Sequence, residues 1–303
     1  MLLSNINPGV QPIPFNGQTE PDIVASMAIS TPHDVSLLNN FHSDQSGWES
    51  FLLDFRAGAA CSSYAWHSLF GHLQGSTDGV VVVGQLGQSL DGRIATVTGH
   101  SKYINGQDGL IHLHRLRALV DVVVVGAGTV VADNPKLTVR LVKGAHPARV
   151  VIDPSGRVPA NSGLYQDDGV DRVVFTSHKN TQSYPDGVSV HHVEKDANGK
   201  LPPKAIIQEL HARGYKRILV EGGADTVTKF MLAGCLDRIH VILAPMVIGA
   251  GRPSFDLPPI DSLSDAIRLP MRMHQIGREV LLDCDLTSRR VGSRIDRVRA
   301  DRG

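Results

Sequence analysis

The sequence predicts an α/β sandwich built on a mixed sheet, and three observations predict it. From residue 80 onward, short runs rich in Val and Ile alternate with amphipathic stretches. Continuous Val and Ile runs of this kind suit strands covered on both faces. The last two runs flank Gly277-Arg278, a spacing that reads as a β-hairpin and closes the fold with antiparallel strands. Strand–helix alternation with a terminal hairpin gives a layered architecture around one sheet.

In chain order, residues 1–40 are Asn-, Ser- and Pro-rich and are expected to be mostly irregular. Residues 45–73 are expected to be helical, because Trp48, Phe51, Leu52 and Phe55 fall at i, i+3, i+4 and i+7, and Tyr64, Trp66, Leu69 and Phe70 add apolar surface. GSTDG, 75–79, reads as a linker from its turn residues. Strands are expected at 80–86, 122–125, 149–152, 172–175, 189–193, 217–220 and 238–243, and the hairpin at 271–276 and 279–286. Asp108 is expected to cap a helix carrying Leu110, Leu113, Leu116 and Leu119. Pro202-Pro203 opens another through Ile206, Ile207 and Leu210, and a third follows Gly222-Gly223 with Val227, Phe230 and Met231. The chain thus divides into an N-terminal extension (1–79), one domain (80–286) and a tail (287–303). Six Arg against two Asp make that tail locally +4, and it is expected to be a solvated end.

Composition narrows the function. Among 303 residues, 30 Lys and Arg balance 30 Asp and Glu, so there is no overall basic field of the kind that draws a protein onto nucleic acid. Three cysteines, Cys61, Cys235 and Cys284, are too few and too scattered for a disulfide framework or a Cys-rich zinc site. No apolar run approaches the roughly 20 residues that span a bilayer. The first residues lack the basic and apolar regions of a signal peptide. A soluble, cytoplasmic protein is expected, without membrane or nucleic-acid partners. The 14 histidines form no metal-ligand spacing: His112 and His114 are i, i+2, and His191 and His192 are neighbours on a strand, so no metal is expected. No Gly-x-Ser-x-Gly hydrolase elbow occurs.

Four blocks carry chemistry. In 84–104 a strand runs into Gly-rich turns around Ser89-Leu90-Asp91-Gly92. In 114–140 a basic helix leads to a buried strand that ends in Gly126-Ala127-Gly128-Thr129, where open α/β sheets bind ligands. Gly126-x-Gly128 lacks the third glycine of a dinucleotide fingerprint, since position 131 is Val131. Arg117 and Arg140 have the fork that matches phosphate oxygens. In 217–234 a strand delivers Glu221 into Gly222-Gly223 and a helix N-terminus, which offers unpaired N–H groups to a pyrophosphate. The fourth block, 244–255, is a Pro- and Gly-rich loop that either lines a pocket or turns the chain.

As an ordered set these blocks resemble the riboflavin-pathway pyrimidine reductases, which form the C-terminal half of a bifunctional deaminase–reductase and also stand alone. The matching motifs are Ser-Leu-Asp-Gly, Leu-Arg-Ala, Gly-Thr-Val-x-Ala-Asp-x-Pro-x-Leu-Thr-Val-Arg, Val-Glu-Gly-Gly and Ala-Pro-x-x-x-Gly, over about 80–286. The resemblance implies a dihydrofolate-reductase-like three-layer sandwich, a homodimer and NADPH as cofactor. The implied reaction reduces 5-amino-6-(5-phosphoribosylamino)uracil to its ribitylamino form. It also implies NADPH contacts at Gly87, Tyr103, Thr129, Asp133, Pro154, Ser155, Gly223, Ala224, Asp225 and Thr226. Substrate contacts are implied at Ser101, Arg117, Leu137, Arg140 and Glu221. Glu221 would read pyrimidine N–H groups, the arginines would hold anionic or polar parts, and Asp133 or water would give the proton. By position, Thr176 and Ser177 could approach an adenosine 2′-phosphate.

Three departures bear on substrate. Tyr103 stands where the family often has Trp, Gln85 where Lys is common, and Asn134 where a second Asp is found. The first 79 residues hold no His-Ala-Glu and no Pro-Cys-x-x-Cys, the pattern of zinc deaminases. Two other readings stay open: a related NADPH reductase for another pterin- or pyrimidine-like substrate, and a non-catalytic nucleotide-binding protein.

Overall fold

The computed structural model describes residues 45–75 and 79–290. The irregular segment expected at 1–40, the middle of the 75–79 linker and nearly all of the basic tail lie outside the described residues.

Each expected strand is present, within a few residues at its ends. They are β1 (Val81–Ser89), β3 (Val122–Gly126), β4 (Ala148–Ile152), β5 (Arg172–Thr176), β6 (Val188–His192), β7 (Arg217–Glu221), β8 (Arg238–Ala244), β10 (Met271–Ile276) and β11 (Glu279–Asp285). They form one nine-stranded sheet in the order β10-β11-β8-β1-β7-β3-β4-β5-β6. Pairing is parallel from β8 to β6, while β11 runs antiparallel to both β8 and β10. This is the mixed sheet and terminal hairpin that the pattern of apolar runs implies. Two short strands, β2 (Arg93–Thr96) and β9 (Gly251–Pro253), pair with each other outside it and have no apolar signal that would announce them.

Helices cover both faces. One face carries α1 (Gln45–Arg56), α2 (His67–Phe70), α3 (Gln107–Leu119) and α4 (Ala127–Asp133); the other carries α5 (Pro203–Ala212) and α6 (Ala224–Leu232). Two corrections concern helix ends. Residues 45–73 are not one helical stretch: α1 stops at Arg56, Gly58 takes φ +72°, and helix resumes only at His67. A left-handed glycine just past the last turn is the usual helix stop. Asp108 does not cap α3, which starts at Gln107 after Gly106. The cap comes from Glu279 at the start of β11, whose carboxylate accepts the N–H groups of Gly106 (2.9 Å) and Gly109 (3.0 Å). The hairpin turn therefore docks on the positive end of the helix.

The described part of the extension, residues 45–75, is part of the core. Trp48, Phe51, Phe55, Trp66 and Phe70 are buried in the same apolar cluster as Val123 and Val125 of β3 and Leu116 of α3. That face also carries a polar row across four strands: Glu221 of β7 is level with Gln85 of β1, Gln85 with His240 of β8, and His240 with Asp283 of β11. All four are buried. At one end Arg238 chelates Asp283 through Nε (2.7 Å) and Nη2 (2.8 Å), and His112 of α3 meets His240 at 3.0 Å. Burial pushes the Asp283 carboxyl up, but the hydrogen bonds of His240 and Arg238 outweigh it and hold the group well below the usual carboxylate range. These contacts satisfy buried charges that would otherwise be costly.

Candidate functional site

The parallel strands end in line, and the cleft beyond their carboxyl ends has a volume of about 730 Å³. Its floor is made where β3 passes into α4 (Gly126 to Thr129) and where β7 passes into α6 (Gly223 to Thr226). These two segments interlock: Thr129 Oγ1 accepts the Gly223 N–H at 3.1 Å. Gly222 lies at φ +116°, and a Cβ there would stand 2.7 Å from Thr129 Oγ1, so the junction requires glycine. Gly128 meets nothing within 4 Å at its Cβ position, leaving room for a ligand against the backbone.

The cleft offers backbone N–H groups and cations to an anionic ligand. The N-cap of α6, Gly223, has no side-chain cap, so the first N–H groups of that helix face the floor. Arg157, Lys195, Lys200, Lys229 and Arg252 line the walls. Of the expected cofactor contacts, Thr129, Pro154, Ser155, Gly223, Ala224, Asp225 and Thr226 line this cleft. Arg157, Lys195 and Lys200 were not singled out from the sequence, although each follows shortly after a recognised strand run. The rule that ligands sit beyond strand ends could have flagged them.

The remaining expected residues lie elsewhere. Gly87 packs on Asn105: a Cβ there would stand 1.5 Å from Asn105 Oδ1, so a side chain at this position would have to displace that of Asn105. Tyr103 is 84% exposed at φ +68°. Asp133, at the end of α4, accepts a hydrogen bond from Ser101 Oγ at 3.4 Å. Thr176 and Ser177 are buried, and their hydroxyls donate to the Asp153 and Pro154 carbonyls at 2.7 and 2.8 Å, which removes them as direct phosphate donors.

Arg117 and Glu221 meet face to face. Arg117 Nε donates to Glu221 Oε1 at 2.7 Å and Nη2 to Oε2 at 2.6 Å, with both side chains buried. The third nitrogen donates to the Thr138 carbonyl at 3.2 Å. The guanidinium is thus engaged by protein groups on all three nitrogens. Each Glu221 oxygen keeps a second lone pair, so the carboxylate can still accept from a ligand N–H. Thr138 belongs to the segment that carries Leu137 and Arg140. Leu137 is buried at φ +56°, and Arg140 has an exposed side chain. A left-handed non-glycine residue is a strained conformation of the kind found at functional sites.

The Ser-Leu-Asp-Gly motif has a structural explanation. Asp91 accepts from Ser89 Oγ (2.5 Å) and from the N–H groups of Ile248 (3.1 Å) and Gly249 (2.6 Å). These bonds, led by that from Ser89, lower its carboxyl to about 2. It ties the first block to the loop of the fourth, which explains the co-occurrence of motifs about 155 residues apart.

His114 of α3 is a site residue that sequence reasoning missed. Its Nδ1 accepts the Arg140 N–H at 2.9 Å, so this nitrogen carries no proton. Burial, then the charges of Arg117 and Arg140, lower its pKa from the ordinary 6.5 to about 3. A histidine depressed in the folded state contributes stability that is full above pH 6.5 and is lost as pH falls toward 3. His72 and His274 are lowered by burial and act in the same direction. The melting temperature should therefore fall between pH 6.5 and 4, and less steeply in His114→Asn. Equal slopes in calorimetric scans of the two proteins would refute this.

The RibD C-terminal domain family model matches residues 80–282. The 2,5-diamino-6-ribosylamino-4(3H)-pyrimidinone 5′-phosphate reductase of Methanothermobacter thermautotrophicus is 31% identical over 201 residues, 64% of this chain and 93% of that protein. The riboflavin biosynthesis protein RibD of Aquifex aeolicus is 32% identical over 200 residues, 64% of this chain and 54% of that one. The match therefore spans about half the length of that relative. The crystal structure of the Thermotoga maritima diaminohydroxyphosphoribosylaminopyrimidine deaminase/5-amino-6-(5-phosphoribosylamino)uracil reductase superposes with a TM-score of 0.59 at 27% identity, covering 68% of this chain and 56% of that one. The riboflavin biosynthesis reductase of Saccharomyces cerevisiae shares the fold, with a TM-score of 0.56 at 20% identity, covering 78% and 97%.

Proposed function

Because the chain belongs to the RibD C-terminal domain family, we propose that it is an NADPH-dependent reductase of riboflavin biosynthesis. Its substrate on this reading is 5-amino-6-(5-phosphoribosylamino)uracil and its product the 5-phosphoribitylamino compound. The observation that carries the reading is the continuity of Glu221 with Gly222-Gly223. One strand end holds the buried carboxylate paired to Arg117 and, in the next two residues, the floor of the nucleotide cleft. A pyrimidine held at Glu221 therefore stands beside a dinucleotide lying on Gly223.

When bound, NADPH supplies the hydride, which is delivered to sugar C1 of the ring-opened imine. The chain's own residues orient and hold. Gly223 to Thr226 and Thr129 seat the dinucleotide, with Ser155 and the cations of the cleft wall at its phosphates. Glu221 accepts pyrimidine N–H groups through its outer lone pairs. Arg117 fixes the direction of that carboxylate, and Arg140 reaches the anionic or polar part of the substrate. Ser101 and Asp133 form a polar pair at the exposed rim, and Asp133 or water returns the proton to the amine nitrogen. We also propose a homodimer in the cytoplasm. Met271 and Met273, exposed on the edge strand β10, offer an apolar surface for a second copy. Among the described residues no helix is long and apolar enough to cross a membrane.

Purified protein should oxidise NADPH in the presence of the phosphoribosylamino-uracil, read at the nicotinamide absorbance band. The match across 93% of the Methanothermobacter reductase favours a second reading, in which the substrate is the 2-amino pyrimidinone. The two pyrimidines are assayed side by side, and kcat/KM decides between them. Binding of NADPH without turnover of either would overturn the reductase reading in favour of a non-catalytic nucleotide-binding protein.

A further inference from the structure

We propose that His114 is a positioning residue for the reductase site: its neutral ring holds the backbone of Arg140 and fixes the segment from which the substrate-side residues project. The inference rests on the reductase reading above. The segment leaves α4 through Asn134 at φ +42° and turns again at Leu137 at φ +56°. Two non-glycine residues in the left-handed region within four positions persist only where the surroundings over-determine them.

Four side chains do so. Asn134 Oδ1 accepts the Gly163 N–H at 2.7 Å, which anchors the start. Arg117 donates to the Thr138 carbonyl at 3.2 Å. His146 Nδ1 accepts the Val139 N–H at 3.2 Å, and His114 Nδ1 accepts the Arg140 N–H at 2.9 Å. The first and third of these come from the segment and its own continuation. Arg117 and His114 come from α3, three residues apart on its buried face.

The chemistry of the clamp follows from the helix. In the body of α3 the carbonyls point along the axis and are taken by the helix's own N–H groups, so at His114 a neighbouring N–H is received through a side-chain acceptor. A neutral imidazole is such an acceptor, with its proton on Nε2. Burial beside two guanidinium groups favours that uncharged form. Arg117 and His114 therefore do complementary work: one takes a carbonyl and the other an N–H, two residues apart on the same segment. Glu221 is drawn into the arrangement because Arg117 also carries its carboxylate. One face of one helix thereby sets both the acceptor that reads the pyrimidine and the root of the arginine that reaches the rest of the substrate.

The test compares His114→Leu, which removes the acceptor at similar volume, with His114→Asn, whose Oδ1 can stand in for Nδ1. Amide exchange over residues 137–142, followed by mass spectrometry, should quicken about tenfold in the Leu variant, the worth of one hydrogen bond, and return toward wild type in the Asn variant. KM for the phosphorylated pyrimidine should rise about tenfold in the Leu variant on the same reasoning, with kcat changed by no more than about threefold. The Kd for NADPH, read by quenching of Trp fluorescence, should not move. If His114→Leu does not fold, His114→Gln, which displaces the acceptor by one bond, takes its place with the same expectation. Unchanged exchange, unchanged KM, or a raised KM that Asn does not restore would each overturn the proposal. A wild-type protein that turns over neither pyrimidine would overturn the reductase reading instead, and exchange alone would then decide the clamp.

Discussion

Arg117→Leu should cost about 3–5 kcal/mol of stability, the usual cost of stripping one partner from a buried ion pair, and should abolish reductase turnover. Glu221 is 5% exposed, and Arg117 donates to both of its carboxylate oxygens. Without the guanidinium the carboxylate must lie uncompensated in an apolar surrounding or take up a proton. In either case the acceptor proposed for the pyrimidine is lost, and the Thr138 carbonyl is released as well. Arg117→Lys should do little better, since an ammonium cannot match both oxygens and the carbonyl at once. The double variant Arg117→Leu with Glu221→Leu separates the two roles. Replacing a buried pair by apolar groups is often nearly neutral for stability, so much of the lost stability should return while activity stays absent. Urea unfolding and kcat/KM measured on the same preparations check both parts. A single Arg117→Leu protein within about 1 kcal/mol of wild type would show that the pair does not bear the burial cost assigned to it.

Trp66→Ala should lower stability by about 3–5 kcal/mol, the range for deleting a buried large aromatic. The effect arises in a region that the sequence presents as an extension of unassigned function. Trp66 stacks near Phe70 (centroids 6.4 Å) and meets Trp48 edge-on at 5.8 Å. Its ring face lies 3.9 Å from the guanidinium carbon of Arg115, which is fully buried and also stands 5.3 Å from the Trp48 ring. Alanine would leave a cavity and remove the nearer of the two ring faces from a desolvated cation. Trp66→Phe keeps a ring and should cost less than half as much. Thermal denaturation reads the difference: at roughly 2–4 °C per kcal/mol for a domain of this size, the alanine variant should melt about 6–20 °C lower. A shift of a degree or two would mean that the extension merely rests on the sheet. Because Arg115 lies on α3 between His114 and Arg117, the extension also supports the helix that sets the site.

Much of the fold was legible. The central strands β3, β4, β5 and β7 are Val- and Ile-rich runs whose apolar character reports burial on two faces, while β6 and β10 at the sheet edges are more exposed and carry a weaker signal. Helices α5 and α6 start at the Pro-Pro and Gly-Gly pairs, which are local signals. The failures were also local in form. Asp108 has the right chemistry for a cap, but Glu279 reaches the same N–H groups from 170 residues away. Helix α4 was concealed by the glycines of its own first turn. Strands β2 and β9 are short and half-exposed, so no hydrophobic pattern marks them.

The candidate site divides along the same line. Thr129 and Gly223 to Thr226 were legible, because glycine at a strand end has a backbone meaning that needs no partner. For Arg117 the residue could be recognised but not its employment. The sequence presents an anion clamp, and the structure presents a guanidinium engaged by Glu221 and Thr138. His114 gave no signal at all, since a histidine on a helix says nothing about which distant N–H it accepts.

By itself the sequence determined the α/β class, the strand runs, the terminal hairpin and the set of motifs that places the chain in its family. These depend on periodicity and on turn residues, which act over a few positions. Only the tertiary structure decided that residues 45–75 belong to the core, that Asp91 ties two motifs together, and that α3 holds both Glu221 and the Arg140 segment. Each of these is a pairing of polar or aromatic groups far apart in the chain. Such a pairing is dictated by which buried groups must find partners once the layers close, and no spacing along the chain records it.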